Sequence, residues 1–142
     1  LGYIAYGYDV SEWAVNNSDA DICHYLTLLP EVAFGDQYSW VIAKDVLEHV
    51  SNVTDVVTDI MEIASVGVFA VVPLSAVDGC PYVVQEYEHD ITHIHRLTLA
   101  TWFRFFSRPG WSVEASYRVP GVKDNYSYSK IGNGFIKARR LK

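Results

Sequence analysis

Lys44-Asp45 and Glu48-His49 crowd four ionisable side chains into one short stretch of this 142-residue chain. Carboxyl and imidazole groups so close together suit proton transfer to or from a bound molecule, where a positioned base needs a pKa near the working pH. A second group lies further on, where His89, His93 and His95 follow Cys80, Glu86 and Glu88 and surround Asp90. His-x-x-x-His-x-His has ligand-like spacing, but a metal site also needs fixed geometry and supporting hydrogen bonds. No partner of matching spacing lies elsewhere, so the sequence predicts no metal there and sets a metal-dependent hydrolase aside. A third candidate is Asp9. A carboxylate at the end of a strand can accept hydrogen bonds from ribose hydroxyls, or it can close an Asx turn into a helix capped by Ser11.

Each group needs an element to hold it. Trp40-Val-Ile-Ala43 reads as a strand buried on both faces, which points to a parallel sheet, and it delivers Lys44 to His49 at its carboxyl end. In open α/β sheets ligands bind at that edge. Tyr3–Tyr8 reads as a strand ending at Asp9, with a short helix after Ser11 and a further strand over His24–Leu28. Val53, Val56, Val57, Ile60, Met61 and Ala64 recur at helical spacing behind a candidate cap at Asn52. Val66–Val72 is a second apolar strand, stopped by Pro73. A connection from Leu74 to His95 follows, a length that usually signals function or motion. Thr98 can cap a helix bearing Leu99, Trp102, Phe103 and Phe106, ended by Pro109-Gly110. Ser112–Val119 and Gly134–Arg140 alternate as antiparallel edge strands do.

Three segments carry a resemblance. Asp45-Val-Leu-Glu-His-Val50 resembles the "(D/E)VLEH(V/I)" segment after the fourth strand of class I S-adenosylmethionine-dependent methyltransferases. Gly7-Tyr-Asp-Val-Ser-Glu12 resembles their "G-x-D-x-S-E" after the second strand. Asp90-Ile-Thr-His93, Trp102 and Gly110-Trp-Ser-Val113 resemble the "D-x-T-H … W … G-(F/W)-x-V" stretch leading into the sixth. The resemblance implies one Rossmann-like α/β domain over residues 1–142, mostly parallel with an antiparallel C-terminal strand. It implies S-adenosylmethionine as cofactor and an unnamed methyl acceptor.

By resemblance Asp9 and Val10 contact the ribose end, Lys44 and Asp45 line the cofactor rim, and Glu48, His49 and His93 are the candidate catalytic groups. Glu48 and His49 can instead fix the strand-to-helix turn, and Asp90, Thr92 and His93 can pin a lid. Tyr82, Tyr87, Trp102 and Phe103 are candidates for an acceptor pocket. Tyr25–Pro30 lacks the family's acidic adenine contact, though Leu28 and Leu29 can pack on a purine. No Gly-x-Gly-x-Gly occurs, and the family's first strand and glycine loop would precede residue 1. The expectation is therefore an amino-terminally truncated domain that binds cofactor weakly or not at all, or a non-catalytic scaffold. Loss of that strand would expose strand edges and favour self-association.

Composition fits one globular domain. Half the residues are hydrophobic, enough to build a core rather than a disordered chain. A formal charge of −6 argues against a duplex-binding surface, with only a short basic tail of Lys137, Arg139, Arg140 and Lys142. No apolar run approaches the ~20 residues of a membrane span and no secretory signal is present, so the expected location is cytoplasmic. Cys23 and Cys80 then read as free, mostly buried thiols, and the sequons at Asn16, Asn52 and Asn125 as chance matches.

Overall fold

A computed structural model describes residues 4–20, 22–25, 38–123 and 129–142. The chain divides into two compact units, Leu1–Asp36 and Gln37–Lys142. The expected Pro30–Gln37 loop, with Leu28 and Leu29, lies outside the described residues.

In the first unit, β1 (Tyr6–Asp9) pairs in parallel with β2 (Ile22–Tyr25), with α1 (Glu12–Asn16) between them in sequence. Ser11 caps α1 as its residue type predicts, its hydroxyl accepting from Ala14 N at 3.3 Å. Glu12 in the first turn suits the helix dipole.

The second unit holds a four-stranded sheet in the order β3-β4-β6-β5. Its strands are β3 (Tyr38–Lys44), β4 (Ala64–Pro73), β5 (Trp111–Ser116) and β6 (Asn133–Arg140). β3 runs parallel to β4, while β6 is antiparallel to both β4 and β5. This is the expected mixed α/β sheet with its C-terminal strand reversed. Inserting β6 between β4 and β5 gives β4 a partner on each edge, and Val68, Ala70, Val71 and Val72 are fully buried in it. Pro73 falls at the strand end, where the missing N–H costs least.

Two helices, α2 (Val53–Ile63) and α3 (Leu99–Phe106), cover the sheet. α2 packs on β3 and β4, α3 on β5 and β6, and the helices touch each other, so they form one layer. Val53, Val56, Val57, Ile60 and Met61 are buried along α2, as their spacing predicts. Trp102 and Phe106 anchor α3, whose cap is the Thr98 hydroxyl accepting from Thr101 N at 3.3 Å.

Four expectations need correction. β3 is not buried on both faces: Ala43 is buried, but Trp40 and Ile42, which alternate onto the other face, are 38% and 70% exposed. Asn52 occupies the cap position of α2 without a side-chain cap bond. Its carbonyl instead accepts from Asp55 N and Val56 N. Ala64 belongs to β4, because the chain passes from helix to strand with no intervening residue. Cys80 is exposed, having fallen on the surface connection after β4.

The basic tail is part of the sheet. Arg139 stacks over Trp40 at 5.6 Å, and Arg140 over Trp111 at 4.9 Å with further hydrogen bonds to the carbonyls of Met61 and Ala64. Gly67 makes room for this packing. A Cβ there would lie 2.6 Å from the Trp40 ring and 2.7 Å from the Ala138 carbonyl oxygen. Among the described residues no helix is long and apolar enough to cross a membrane.

Candidate functional site

β3 ends at Lys44, and the chain turns sharply at Asp45, whose φ of 55° is left-handed. Non-glycine residues adopt that conformation at a cost, and Asp is among those that tolerate it best. The turn is held where Asp45 N donates to Val71 O on β4 at 3.0 Å. It leads into a 3-10 turn, Leu47–His49, with Leu47 and Glu48 buried. Lys44 Nζ lies 3.0 Å from Asp45 Oδ2, so the predicted rim pair forms an ion pair.

Asp45 has a second cation that sequence reasoning missed. Lys123 Nζ bonds Asp45 Oδ1, and its side chain is only 13% exposed. Lys123 also stacks over Tyr87 at 5.2 Å, and the Tyr87 hydroxyl donates to Asn133 Oδ1 at 2.7 Å. Three distant segments therefore meet at the carboxyl end of β3. Nothing local around Lys123 signals this.

The long connection after β4 is extensively bonded. Arg96 grips Glu88 with three hydrogen bonds of 2.9–3.1 Å, and Tyr82 N donates to Glu88 Oε1 at 2.7 Å. These bonds hold the Glu88 carboxyl below its usual range. Asp78 caps the base of α3, accepting from Thr98 N and from the Thr101 hydroxyl at 2.6 Å each. The Tyr82 hydroxyl donates to His95 O at 2.8 Å, and burial pushes its pKa up to about 12.

This framework brings His93 to Glu48. His93 Nε2 lies 3.9 Å from Glu48 Oε1, and His49 Nε2 lies 4.0 Å from the same oxygen. Their rings are 4.6 Å apart. His93 Nδ1–H donates to the Tyr87 carbonyl at 2.9 Å. His49 Nδ1 meets Thr92 Oγ1 at 2.8 Å, while Thr92 gives its own proton to Asp90 Oδ1 at 2.5 Å. Asp90 and Thr92 thus pin the segment, and their hydrogen bonds lower the Asp90 pKa. Glu48 is 1% exposed, and its Oε2 has no hydrogen-bond partner among the described residues. Burial raises its pKa to about 7, against the lowering effect of a hydrogen bond from its own backbone N–H, with Asp45 and Asp90 adding to the shift and Lys123 opposing it.

All three candidate catalytic residues therefore converge, although Glu48 and His93 are far apart in sequence. The local His89-His93-His95 grouping does not. His89 is exposed, and His95 turns away so that Nε2–H donates to Val50 O at 2.7 Å. Of the proposed aromatic wall, Tyr82 and Tyr87 stand edge-on to His93 at 5.5 and 6.2 Å. Trp102 is core instead, fully buried against His95, because its position on α3 faces inward.

In the first unit Asp9 closes an Asx turn, Oδ1 accepting from Ser11 N at 2.7 Å, and Val10 is 70% exposed. The Asx turn uses one carboxylate oxygen and orients the group at the strand end.

Solved structures share this architecture. The plantazolicin methyltransferase BpumL, in complex with a triazolic desmethylPZN analog and SAH, matches with a TM-score of 0.70 at 11% identity. The match covers 97% of this chain and 67% of that one. The putative methyltransferase complexed with the Haloferax volcanii Trm112 activator matches at 0.70 and 16%, over 96% and 72%. A putative S-adenosylmethionine-dependent methyltransferase from Listeria monocytogenes matches at 0.64 and 14%, over 96% and 80%. The chain has the class I methyltransferase fold. In this methyltransferase fold the Glu48–His49–His93 cluster sits just beyond β3, at the strand end where open α/β sheets bind ligands. No protein-family model matches the chain, and no curated protein does.

Proposed function

We propose that this chain is a methyltransferase domain that takes S-adenosylmethionine and passes its methyl group to an acceptor carrying an ionisable hydrogen. The observation that carries this reading is the fold likeness over 97% of the chain to a methyltransferase solved with SAH. In the proposal Asp9 and Val10 hold the ribose, and Lys44 and Asp45 line the cofactor rim. Methyl transfer is an in-line displacement, so most of the rate comes from positioning. An acceptor that must lose a proton also needs a base. His93 and His49 suit that role, since each is bonded through Nδ1 and turns Nε2 toward Glu48. Glu48, with its raised pKa, can share the proton.

Calorimetric titration with S-adenosylhomocysteine tests the cofactor reading without knowledge of the acceptor. Binding to these 142 residues is expected to be weak or absent, because no glycine-rich loop lies among them to supply backbone donors, and micromolar affinity would overturn that expectation. Asp9→Ala should weaken it further by about 1–3 kcal/mol, the cost of hydrogen bonds to a charged group. Equal affinity in Asp9→Ala would return that residue to turn formation alone. Absence of any saturable binding would favour the alternative reading, a methyltransferase-like scaffold.

Self-association through strand edges belongs to the same proposal. β3 is terminal in its described sheet and exposes Trp40 and Ile42, and apolar terminal strands recruit others. Sedimentation at several concentrations should show mass rising with concentration. A strictly monomeric species would contradict it.

A further inference from the structure

Hydrogen bonding fixes where the lone pairs of the Glu48 cluster point. A carbonyl can only accept, so the Tyr87 carbonyl requires the proton of His93 on Nδ1. Thr92 has a single hydroxyl proton, and Asp90, an acceptor-only carboxylate, takes it at 2.5 Å. Thr92 Oγ1 must then accept from His49 Nδ1–H. In both neutral rings Nε2 is left with a lone pair, and both lone pairs face Glu48 Oε1 at 3.9 and 4.0 Å. These separations are too long for hydrogen bonds. A second carboxylate oxygen, Asp90 Oδ2, lies 3.7 Å from His93 Nε2. Two imidazole lone pairs thus converge on one oxygen of Glu48, a residue 1% exposed whose other oxygen has no partner among the described residues. Such an arrangement calls for positive charge between them.

We infer that Glu48, His49 and His93 bind one divalent cation of the zinc type, leaving a coordination position open on the half-exposed His49 side. The inference rests on the reading of these residues as the acceptor end of the site, and gives that end its cofactor. Their ligand atoms all lie within 4.8 Å of one another, and they form the one such group of three or more among the described residues. Two imidazoles and a carboxylate are the donor set that borderline transition ions prefer. Four-coordinate zinc with bonds near 2.0–2.1 Å separates its ligand atoms by about 3.4 Å, so each imidazole must close on Glu48 Oε1 by ~0.5 Å and the group, spread over up to 4.8 Å, by up to ~1.4 Å at its widest. The supporting shell is already built, with His93 held by a backbone carbonyl and His49 by the Thr92–Asp90 relay. Metal-bound histidines are characteristically oriented in this way. A cation here would polarise an acceptor oxygen or nitrogen bound at the open position and ease its loss of a proton. The other species able to occupy this place is a proton, forming an imidazolium.

Titration of the metal-free full chain with Co2+, followed by visible absorption and then by displacement with Zn2+, separates the two. One equivalent taken up at the site is expected. His49→Ala, at a half-exposed position that keeps the fold, and His93→Gln should each lose uptake. Thr92→Val should weaken it about 10–100-fold, as loss of an orienting partner does. His89→Ala, at an exposed residue outside the ligand group, should bind as the parent does. Circular dichroism of each variant confirms folding. No saturable uptake, uptake unchanged in both His49→Ala and His93→Gln, or uptake abolished by His89→Ala would each overturn the site. S-adenosylhomocysteine binding is measured separately on the same samples. Its presence without metal uptake sinks the cation site alone, and metal uptake without it sinks the methyltransferase reading alone.

Discussion

Glu48→Gln should flatten the pH dependence of stability in the metal-free protein by roughly 3 kcal/mol. Glu48 is buried, and its pKa rises from 4.5 to about 7, chiefly through desolvation. Below pH 4.5 the side chain is protonated in both folded and unfolded chains, and its contribution is fully present. Between 4.5 and about 7 the unfolded chain releases the proton while the folded chain keeps it, so stability falls as pH rises. Above about 7 the loss is complete. Its own backbone N–H and Lys123 oppose the effect, Asp45 and Asp90 deepen it, and His49 and His93 lie at ion-pair distance. Glutamine preserves the shape and removes the titration. Urea unfolding of both proteins from pH 4.5 to 8 reads the difference directly. Parallel curves would show that the Glu48 carboxyl is solvated or stably paired.

In the metal-free protein, where His93 Nε2 keeps its lone pair, His93→Gln should lower the methyl-transfer rate by about 10²–10⁴, the usual contribution of a positioned general base. The loss should appear with an acceptor that must give up a proton and vanish with one already deprotonated at the assay pH. Affinity for S-adenosylhomocysteine should stay close to that of the parent, since His93 is assigned to the acceptor end. Isotopic methyl transfer to the two kinds of acceptor checks this. An equal loss with both would make His93 a positioning residue that holds the Glu88–Arg96 segment in place.

Local patterns carried much of the fold. The stripe from Val53 to Met61 marked α2, the apolar run ending at Pro73 marked β4, and Ser11 and Thr98 marked two helix starts, because each signal is a short-range periodicity or cap. The Asp45–Val50 segment likewise placed Glu48 and His49 at the end of β3. The partners of that segment were less visible. His93 was singled out, but its local spacing grouped it with His89 and His95. The 3-10 turn Gln85–His89 and the Tyr87 carbonyl instead aim it back at Glu48. Lys123 gave no signal, because its contact with Asp45 depends on the chain path after β5. The exposure of Ile42 was misjudged for a related reason. An apolar run shows that a strand can be buried on both faces, not that both faces are covered.

Amide hydrogen exchange with and without S-adenosylhomocysteine tests the central claim most directly, because it reports where the cofactor binds. The account predicts added protection at residues 7–12, around Asp9 and Val10, and at residues 44–49, around Lys44 and Asp45. Protection confined to other segments, or no change at saturating ligand, would contradict it.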